Sequence, residues 1–324
     1  MTEKLAPSPE LSVVIPVFNE ADNLAPLVAR LVPALESCVA SFEIVFVDDG
    51  SADGTLEAVA ALHDRDPRIV GVTFSRNFGK EIAIAAGLDH ARGRAAVIMD
   101  ADLQHPPEVI PRFVELWRQG FKNVFGQRRT RTTDTALRRA LSQRFYRLFD
   151  RFGETALPQG AGDFRLLDRQ AVDALRSMRE RARFTKGLYA WIGFRGVGVP
   201  FDVAERTAGL SKFSYRKLTR FALDGLMSFS TVPLKVWTFV GVTVSIVALL
   251  AALYFLMEVV VRGVDVPGYA SLIVSVMFFS GVQLLSLGVL GEYIGRIFAE
   301  VKNRPLYIVS ETIGCDHRVR DQGS

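Results

Sequence analysis

Asp100-Ala101-Asp102, followed by Gln104, sets two carboxylates at i and i+2 with an amide oxygen two residues further on. Hard oxygen donors in that pattern suit Mg²⁺ or Mn²⁺, which is ordinarily held by one or two carboxylates plus substrate phosphates. A cation there would offset negative charge building on a departing diphosphate. A D-x-D alone occurs in many loops. This one follows an apolar run, Ala95 to Met99, and is one of five polar clusters placed in that way. Asn19 and Glu20 follow Leu11 to Val17, Asp48 and Asp49 follow Phe42 to Val47, and Arg76 and Asn77 follow Ile69 to Phe74. Arg128 and Arg129 follow Asn123 to Gly126.

The intervening segments read as helices. Leu24, Leu27, Val28, Leu31 and Leu35 are spaced for one helix face, and further helices are expected from Thr55, over Glu81 to Ala91, and from Pro106-Pro107 to about Gln119. Alternating strands and helices mean a mostly parallel sheet with helices on both faces. In such sheets ligands gather beyond the carboxyl ends of the strands, where all five clusters sit. Asp48-Asp49-Gly50-Ser51 also has a plainer reading, as a turn or helix cap. Asp163, in a Gly-rich loop before an apolar segment, is the candidate general base; a structural or acceptor-orienting role is the alternative. Asn77 and Lys80 are placed to shape a pocket, and Gly79 to begin a helix. The four histidines show no metal-ligand spacing, and His105 reads as a loop residue.

The net charge is only +4, yet Lys122 to Arg151 holds nine basic residues against two acidic ones. Guanidinium groups bind phosphate in bidentate fashion, and anionic headgroups attract basic surfaces. Nucleic acid is the other possible partner for such a patch. No nucleic-acid-binding motif accompanies it, and two long apolar stretches do. Mean hydropathy is +0.20 although 23% of residues are charged, because the apolar residues are segregated toward the C-terminal part. Val236 to Met257 and Pro267 to Gly291 contain no charge, and each is long enough to cross a bilayer of about 30 Å. Lys212, Arg216, Lys217, Arg220 and Lys235 precede the first stretch, and Arg296, Lys302 and Arg304 follow the second. The loop between them has only Arg262. The positive-inside rule therefore predicts a hairpin with the large domain and the tail in the cytoplasm. Met1 to Glu10 has no apolar core of a signal peptide. Lys212 to Met227 is expected to be an interfacial amphipathic helix. Cys38 and Cys315 offer neither a disulfide framework nor metal spacing; Cys38 reads as helix packing and Cys315 as an idle tail residue.

Val14-Ile15-Pro16-Val17-Phe18-Asn19-Glu20, Val47 to Thr55 (VDDGSADGT) and Asp100-Ala101-Asp102 together resemble inverting glycosyltransferases of family two, with their GT-A fold. Ser75 to Glu81 (SRNFGKE), Asp102 to Pro107 (DLQHPP), Gly162 to Arg169 (GDFRLLDR) and Gly209 to Lys212 (GLSK) resemble, more narrowly, the polyprenyl-phosphate branch. That branch includes bactoprenol glucosyltransferases and dolichol-phosphate mannose synthases. The likeness covers nearly the whole chain, membrane hairpin included.

The resemblance implies an α/β GT-A catalytic domain, with a Rossmann-like and mostly parallel sheet, plus a two-helix transmembrane hairpin. The expected division is a cytoplasmic catalytic domain over 1–205, an acceptor-phosphate segment and juxtamembrane helix over 206–232, two spans over 233–291 and a cytoplasmic tail over 292–324. Pro16, Glu20, Asp48 and Asp49, with Asp100, match donor nucleotide positions. Asp100, Asp102 and Gln104 match the metal-and-diphosphate site, Mg²⁺ or Mn²⁺ being the implied cofactor. Arg128 lies in the family's arginine position, on the transferring group and acceptor phosphate, with Arg129 adjacent and not separable from it. Arg206, Ser211 and Lys212 match the segment that meets the lipid phosphate. Asp163, Asp102 and Arg128 thus form the expected catalytic set.

The implied reaction is an inverting transfer of a sugar, glucose from UDP-glucose by resemblance, to undecaprenyl or another polyprenyl phosphate. It would take place at the cytoplasmic face of the inner (plasma) membrane, in a multi-pass protein that forms a homotetramer. GDP-mannose with the same acceptor is the alternative donor, and a non-catalytic nucleotide-sugar-binding scaffold the alternative class. A processive polysaccharide synthase is disfavoured, since Gln143 to Phe145 does not fit the Q-x-x-R-W motif and Trp191 lacks its preceding pattern.

Overall fold

Strands with no polar face must be covered on both sides, which places them at the centre of an α/β sheet. β1 (Leu11–Val17), β2 (Phe42–Asp48), β3 (Ile69–Phe74) and β4 (Ala95–Ile98) are of this kind, and Pro16 alone among them is not fully buried. The structure, a computed structural model, describes residues 8–128, 161–181, 183–202, 232–262 and 268–314. Connecting the strands are α1 (Ala21–Glu36), α2 (Thr55–Arg65) and α3 (Lys80–His90), and a 3₁₀ turn (Pro107–Val109) leads into α4 (Ile110–Arg118). β5 (Asn123–Arg128), β6 (Ala161–Asp168), α5 (Arg169–Ser177), α6 (Thr185–Trp191) and β7 (Gly196–Phe201) follow.

The strands form one sheet in the order β7-β5-β6-β4-β1-β2-β3-β8, where β8 is Val309–Ile313. β1 pairs in parallel with β2 and β4, β2 with β3, and β5 with β7. β6 and β8 run antiparallel to their neighbours. The expected mostly parallel α/β sheet is therefore present. Two particulars differ from the sequence reading. Asp163 lies on β6 rather than in a glycine-rich loop, because Gly162 sits at a strand start that pairs with β5. Within the segment expected as a tail, helix continues past Gly291 to Val301, and Val309–Ile313 adds a strand to the outer edge of β3.

Both directional exceptions matter for the site. The carboxyl ends of β1 to β5 share one end of the sheet. An antiparallel strand presents its amino end there, so β6 brings Asp163 beside the residues that follow β4, in a register that pairs Ile98 with Arg165. α3 packs against β1 and β2 through Ala83, Ala86 and Gly87. A Cβ at Gly87 would stand 2.1 Å from a Val14 methyl carbon, so this position accepts no side chain without a shift of the buried strand.

The chain divides into two compact units, one of residues 1–222 with 304–324 and the other of 223–303. The second holds α7 (Val232–Arg262) and α8 (Tyr269–Val301). Large apolar side chains on them are exposed, among them Phe239, Leu250 and Val260 on α7 and Leu272, Met277 and Leu284 on α8. Among the described residues, Ser275–Val301 is long and apolar enough to cross a membrane. Exposed apolar surface of this extent marks a partner surface or a lipid environment. Arg129, Arg206, Ser211, Lys212, most of the basic 122–151 cluster, the expected amphipathic helix and Cys315 lie outside the described residues.

Replacing Gly87 by valine is expected to overpack the α3–β1 contact and destabilise the α/β unit by roughly 1–3 kcal/mol. Thermal unfolding of the purified chain checks this; an unchanged midpoint would show that α3 can lift off β1 at no cost.

Candidate active site

Three strand-end loops are tied to one another before any ligand is considered. The Asp48 carboxylate accepts from the Ser51 amide (3.0 Å) and hydroxyl (2.5 Å). The Ser51 hydroxyl in turn accepts from Asn19 N–H (2.8 Å), and Asn19 Oδ1 accepts from Ala52 N–H (2.9 Å). Asn19 takes a left-handed φ of 56°, which its side chain tolerates through this local bonding. Asp49 reaches the other way. Its carboxylate accepts from the amides of Phe78 (2.6 Å) and Gly79 (2.9 Å), drawing the Ser75–Gly79 loop against the end of β2. Gly50, at φ +72°, permits that closeness, since a Cβ would lie 2.7 Å from the Arg76 carbonyl carbon. Burial pushes the Asp49 carboxyl upward, partly offset by those two amides.

A cavity of about 330 Å³ opens where these loops meet. Its lining includes Pro16, Phe18 and Glu20 after β1, Asp49 after β2, Asn77, Gly79 and Lys80 after β3, and Asp100 and Asp102 after β4. Of the expected donor residues, Pro16, Glu20, Asp49 and Asp100 line it. Asp48 does not; it is engaged in the Ser51 turn.

The Asp100–Gln104 turn is built with visible strain. Leu103 is buried at a left-handed φ of 59°, a conformation that costs a leucine about 1–2 kcal/mol. Asp102 Oδ1 accepts from Gln104 N–H (3.1 Å), closing the turn. Asp100 N–H donates to Nδ1 of His105 (3.0 Å), whose ring is buried and stacked on Phe164 with centroids 4.9 Å apart. Burial, together with the charges of Arg128 and Lys80, lowers the His105 pKa against the pull of Asp100 and Asp102. A neutral ring accepting at Nδ1 carries its proton on Nε2. Sequence reasoning left His105 as a loop residue; its support of the D-x-D backbone depends on β6 supplying Phe164, which no local pattern announces.

Asp100 Oδ1 lies 2.5 Å from Lys80 Nζ, and Asp163 Oδ2 lies 3.3 Å from the same nitrogen. One ammonium therefore bridges the D-x-D turn and β6. Burial would lower the Lys80 pKa, but the two carboxylates raise it well above the ordinary lysine range. Burial would raise Asp163, but Lys80, Lys186 and Arg165 hold it below the usual carboxylate range. Asp163 Oδ1 is buried and accepts no hydrogen bond from the described residues. Beneath it, Arg165 is wholly enclosed, with its guanidinium 3.5 Å from the Tyr189 ring centroid and Nη2 donating to Gly162 O (2.7 Å). Glu81, beside Asp163, accepts from Thr185 N–H (3.2 Å); burial and the Asp163 charge push its carboxyl up to about 7. Arg128 ends β5, exposed, opposite Phe201 of β7.

Two carboxylates and an amide at Asp100, Asp102 and Gln104 make up a hard-oxygen donor set, and Asp100 Oδ1 accepts no well-directed hydrogen bond from the described residues despite its nearness to Lys80. Among the described residues no three carboxylate, thiol or imidazole groups converge into a complete cage. This fits a Mg²⁺- or Mn²⁺-type ion that completes its shell with substrate oxygens.

The family described as Glycosyl transferase family 2 matches residues 12–176, and the family described as GtrB C-terminal hairpin matches residues 232–297. An uncharacterized glycosyltransferase of Synechocystis is 48% identical over 308 residues, covering 95% of this chain and 97% of its own. A prophage-derived bactoprenol glucosyl transferase of Shigella flexneri is 44% identical over 303 residues, covering 94% and 98%. Among solved structures, a mannosyltransferase from Pyrobaculum calidifontis, in complex with GDP-Man and Mn²⁺, aligns with TM-score 0.46 and 20% identity over 91% of this chain and 87% of its own.

Glu81 supplies a signed pH test. Its carboxyl has an ordinary value of 4.5 and a folded value of about 7, so as pH rises the unfolded chain loses this proton first. Its contribution to stability is therefore present below about 4.5 and lost as pH climbs through 7. Glu81→Gln should remove that dependence and raise stability at pH 8 by on the order of 2 kcal/mol. Superimposable wild-type and mutant curves of melting temperature against pH would contradict the assignment.

Proposed function

The chain belongs to glycosyltransferase family 2, and from that membership we propose that it transfers glucose from UDP-glucose, with inversion, to undecaprenyl or a related polyprenyl phosphate. The observation that carries this reading is the meeting of Asp49, Asp100, Asp102 and Lys80 in one strand-end cavity, with Asp163 salt-bridged to that lysine, in a chain 44% identical to a bactoprenol glucosyl transferase.

In this reading the uridine and ribose lie among Pro16, Glu20 and Asp49, with Asp48 setting the loop from below. Asp100, Asp102 and Gln104 would hold a divalent ion, which when bound would supply charge stabilisation to the departing nucleoside diphosphate. His105 keeps the D-x-D backbone in register through the Asp100 amide, and Lys80 adds positive charge beside the same oxygens. Acceptor phosphate is met by Arg128, with Arg206, Ser211 and Lys212 completing the subsite. Its oxygen attacks the anomeric carbon from the face opposite the diphosphate, so an α-linked donor yields a β-linked lipid phosphosugar.

Asp163 has two roles open to it. A phosphate monoester has a second pKa of about 6 and is largely deprotonated at neutral pH, so little proton removal is required. With its own pKa depressed by Lys80, Asp163 fits orientation of the acceptor and of Lys80 better than abstraction of a proton. Positioning and charge complementarity then carry the rate.

The membrane reading follows from topology and composition. β8 pairs with β3 on the far side, in sequence, of the two long helices, so the number of crossings between them is even. Two crossings by α7 and α8 meet that condition and, with the basic flanks, keep the catalytic unit in the cytoplasm at the inner membrane. Membrane lipids are thus partners, and a homotetramer is the assembly the family resemblance suggests.

Transfer from a panel of labelled nucleotide sugars to undecaprenyl phosphate, with Mg²⁺, Mn²⁺ or EDTA, tests the whole reading. A lipid-extractable, metal-dependent glucose product, lost by about a hundredfold or more in Asp102→Asn, is expected. Product from GDP-mannose alone would replace the donor; binding without transfer to any lipid would favour the scaffold. His105→Phe keeps the stack on Phe164 but strands the Asp100 amide, and should lower kcat about tenfold. Wild-type turnover in that variant would remove His105 from the machinery.

A further inference from the structure

The strand that follows the helical hairpin is placed against the loop that walls the donor cavity. β8 pairs with β3 antiparallel, so its beginning, not its end, reaches the ligand end of the sheet. There Ser75 N–H donates to Ile308 O (3.0 Å), at the point where β3 gives way to the Ser75–Gly79 loop. The Tyr307 ring stacks on Phe74 (centroids 5.0 Å apart, planes 22° apart), and Phe74 meets Phe78 edge-on at 5.6 Å. Phe78 and Gly79 are the residues whose amides Asp49 holds, while Asn77 and Gly79 line the cavity. The loop is thus gripped from one side by Asp49 and from the other by the run Tyr307–Val309.

Tyr307 is itself fixed. Its hydroxyl donates to Asp89 Oδ2 (3.0 Å) at the end of α3, and the same carboxylate takes Arg179 Nη1 (2.7 Å) and lies near Arg176 Nε (3.6 Å). The Asp89 side chain is nearly enclosed, and the tyrosine hydroxyl and two guanidiniums converge on it, Arg176 also lying 3.7 Å from Asp173. None of these groups belongs to the proposed transfer step.

We propose that Tyr307 is a positioning residue for the nucleotide donor: anchored on Asp89 and stacked on Phe74, it holds the Ser75–Gly79 loop against Asp49 and so keeps the cavity in its donor-binding shape. The inference rests on the donor reading of this cavity, but only for the identity of the ligand. Chain that resumes after the hairpin thereby completes a site whose other parts all precede the hairpin. Losing the ring removes one of two grips on the loop and acts on donor affinity, leaving the D-x-D turn and Asp163 untouched.

The test uses the full-length chain in detergent, with Tyr307→Ala and Tyr307→Phe. Amide hydrogen exchange at Phe78 and Gly79 is read together with UDP affinity in Mn²⁺ by calorimetry, and with donor KM and kcat. Tyr307→Ala should speed exchange at both amides and raise the UDP Kd and donor KM about fivefold to tenfold, with kcat within about twofold. Tyr307→Phe keeps the stack and loses only the Asp89 bond, and should shift both constants by about twofold to threefold. A folded Tyr307→Ala chain with wild-type exchange and wild-type UDP affinity overturns the proposal. If that variant does not fold, wild-type exchange and UDP affinity in Tyr307→Phe overturn it instead. Exchange and UDP binding decide the role of Tyr307 even in a preparation that transfers no sugar, where the failure would belong to the proposed reaction.

Discussion

Like charges gathered at one end of a sheet repel, and two carboxylates about 4 Å apart at an effective dielectric near 20 oppose one another by about 4 kcal/mol. Asp100, just past the end of β4, and Asp163, on β6, are brought to one ammonium by the antiparallel insertion of β6 between β4 and β5. Lys80, at the first turn of α3, answers both with one ammonium. Its position depends on α3 lying flat against β1, which the absence of a side chain at Gly87 allows. The charge balance of the site and the packing of the sheet are therefore one constraint expressed at two scales. Glu81, next in sequence, has its carboxyl pushed up chiefly by burial and then by the Asp163 charge, against the pull of Lys80 and Lys186.

The acidic residues divide by what they hold. Asp48 holds its own turn and, through Ser51, the loop after β1; Asp49 holds the loop after β3. Two adjacent aspartates, the last residue of β2 and the one after it, thereby bind three strand ends into a single rim. A motif that resembles a nucleotide-binding signature is in this structure also a piece of construction. The rim's loops are thus joined by their own hydrogen bonds, while Glu20, Asp49, Asn77, Lys80, Asp100 and Asp102 are the polar residues that line the cavity.

The hairpin is an insertion within a continuous sheet rather than an appendage at its end. Residues 304–314 belong with the strands that precede the helices, and β8 covers the β3 edge that would otherwise offer unpaired amides to another chain. A short, partly polar edge strand (VSETI) is a suitable cover.

Much of the architecture was legible in the chain alone, for a physical reason. β1, β2, β3 and β4 are buried on both faces, so their apolar runs announce themselves, and their expected ends agree with the structure to within one residue. The polar pairs after those runs were legible too, since ligands gather beyond the carboxyl ends of parallel strands, although Asp48 proves to serve its own turn. What sequence could not supply was anything that depends on a long-range partner. Asp163 read as loop because its pairing strands, β4 and β5, lie more than thirty residues away. His105 read as idle because its role needs Phe164, and Tyr307 lay in an apparent tail because nothing local predicts that the chain returns to β3. Local pattern determined β1 to β5, the four helices among them and the two long apolar helices, but not β6, β7, β8, α5 or α6. Tertiary structure alone decided which groups at the site meet, because contact between residues distant in sequence is set by sheet order and strand direction, and neither is written in the spacing of side chains.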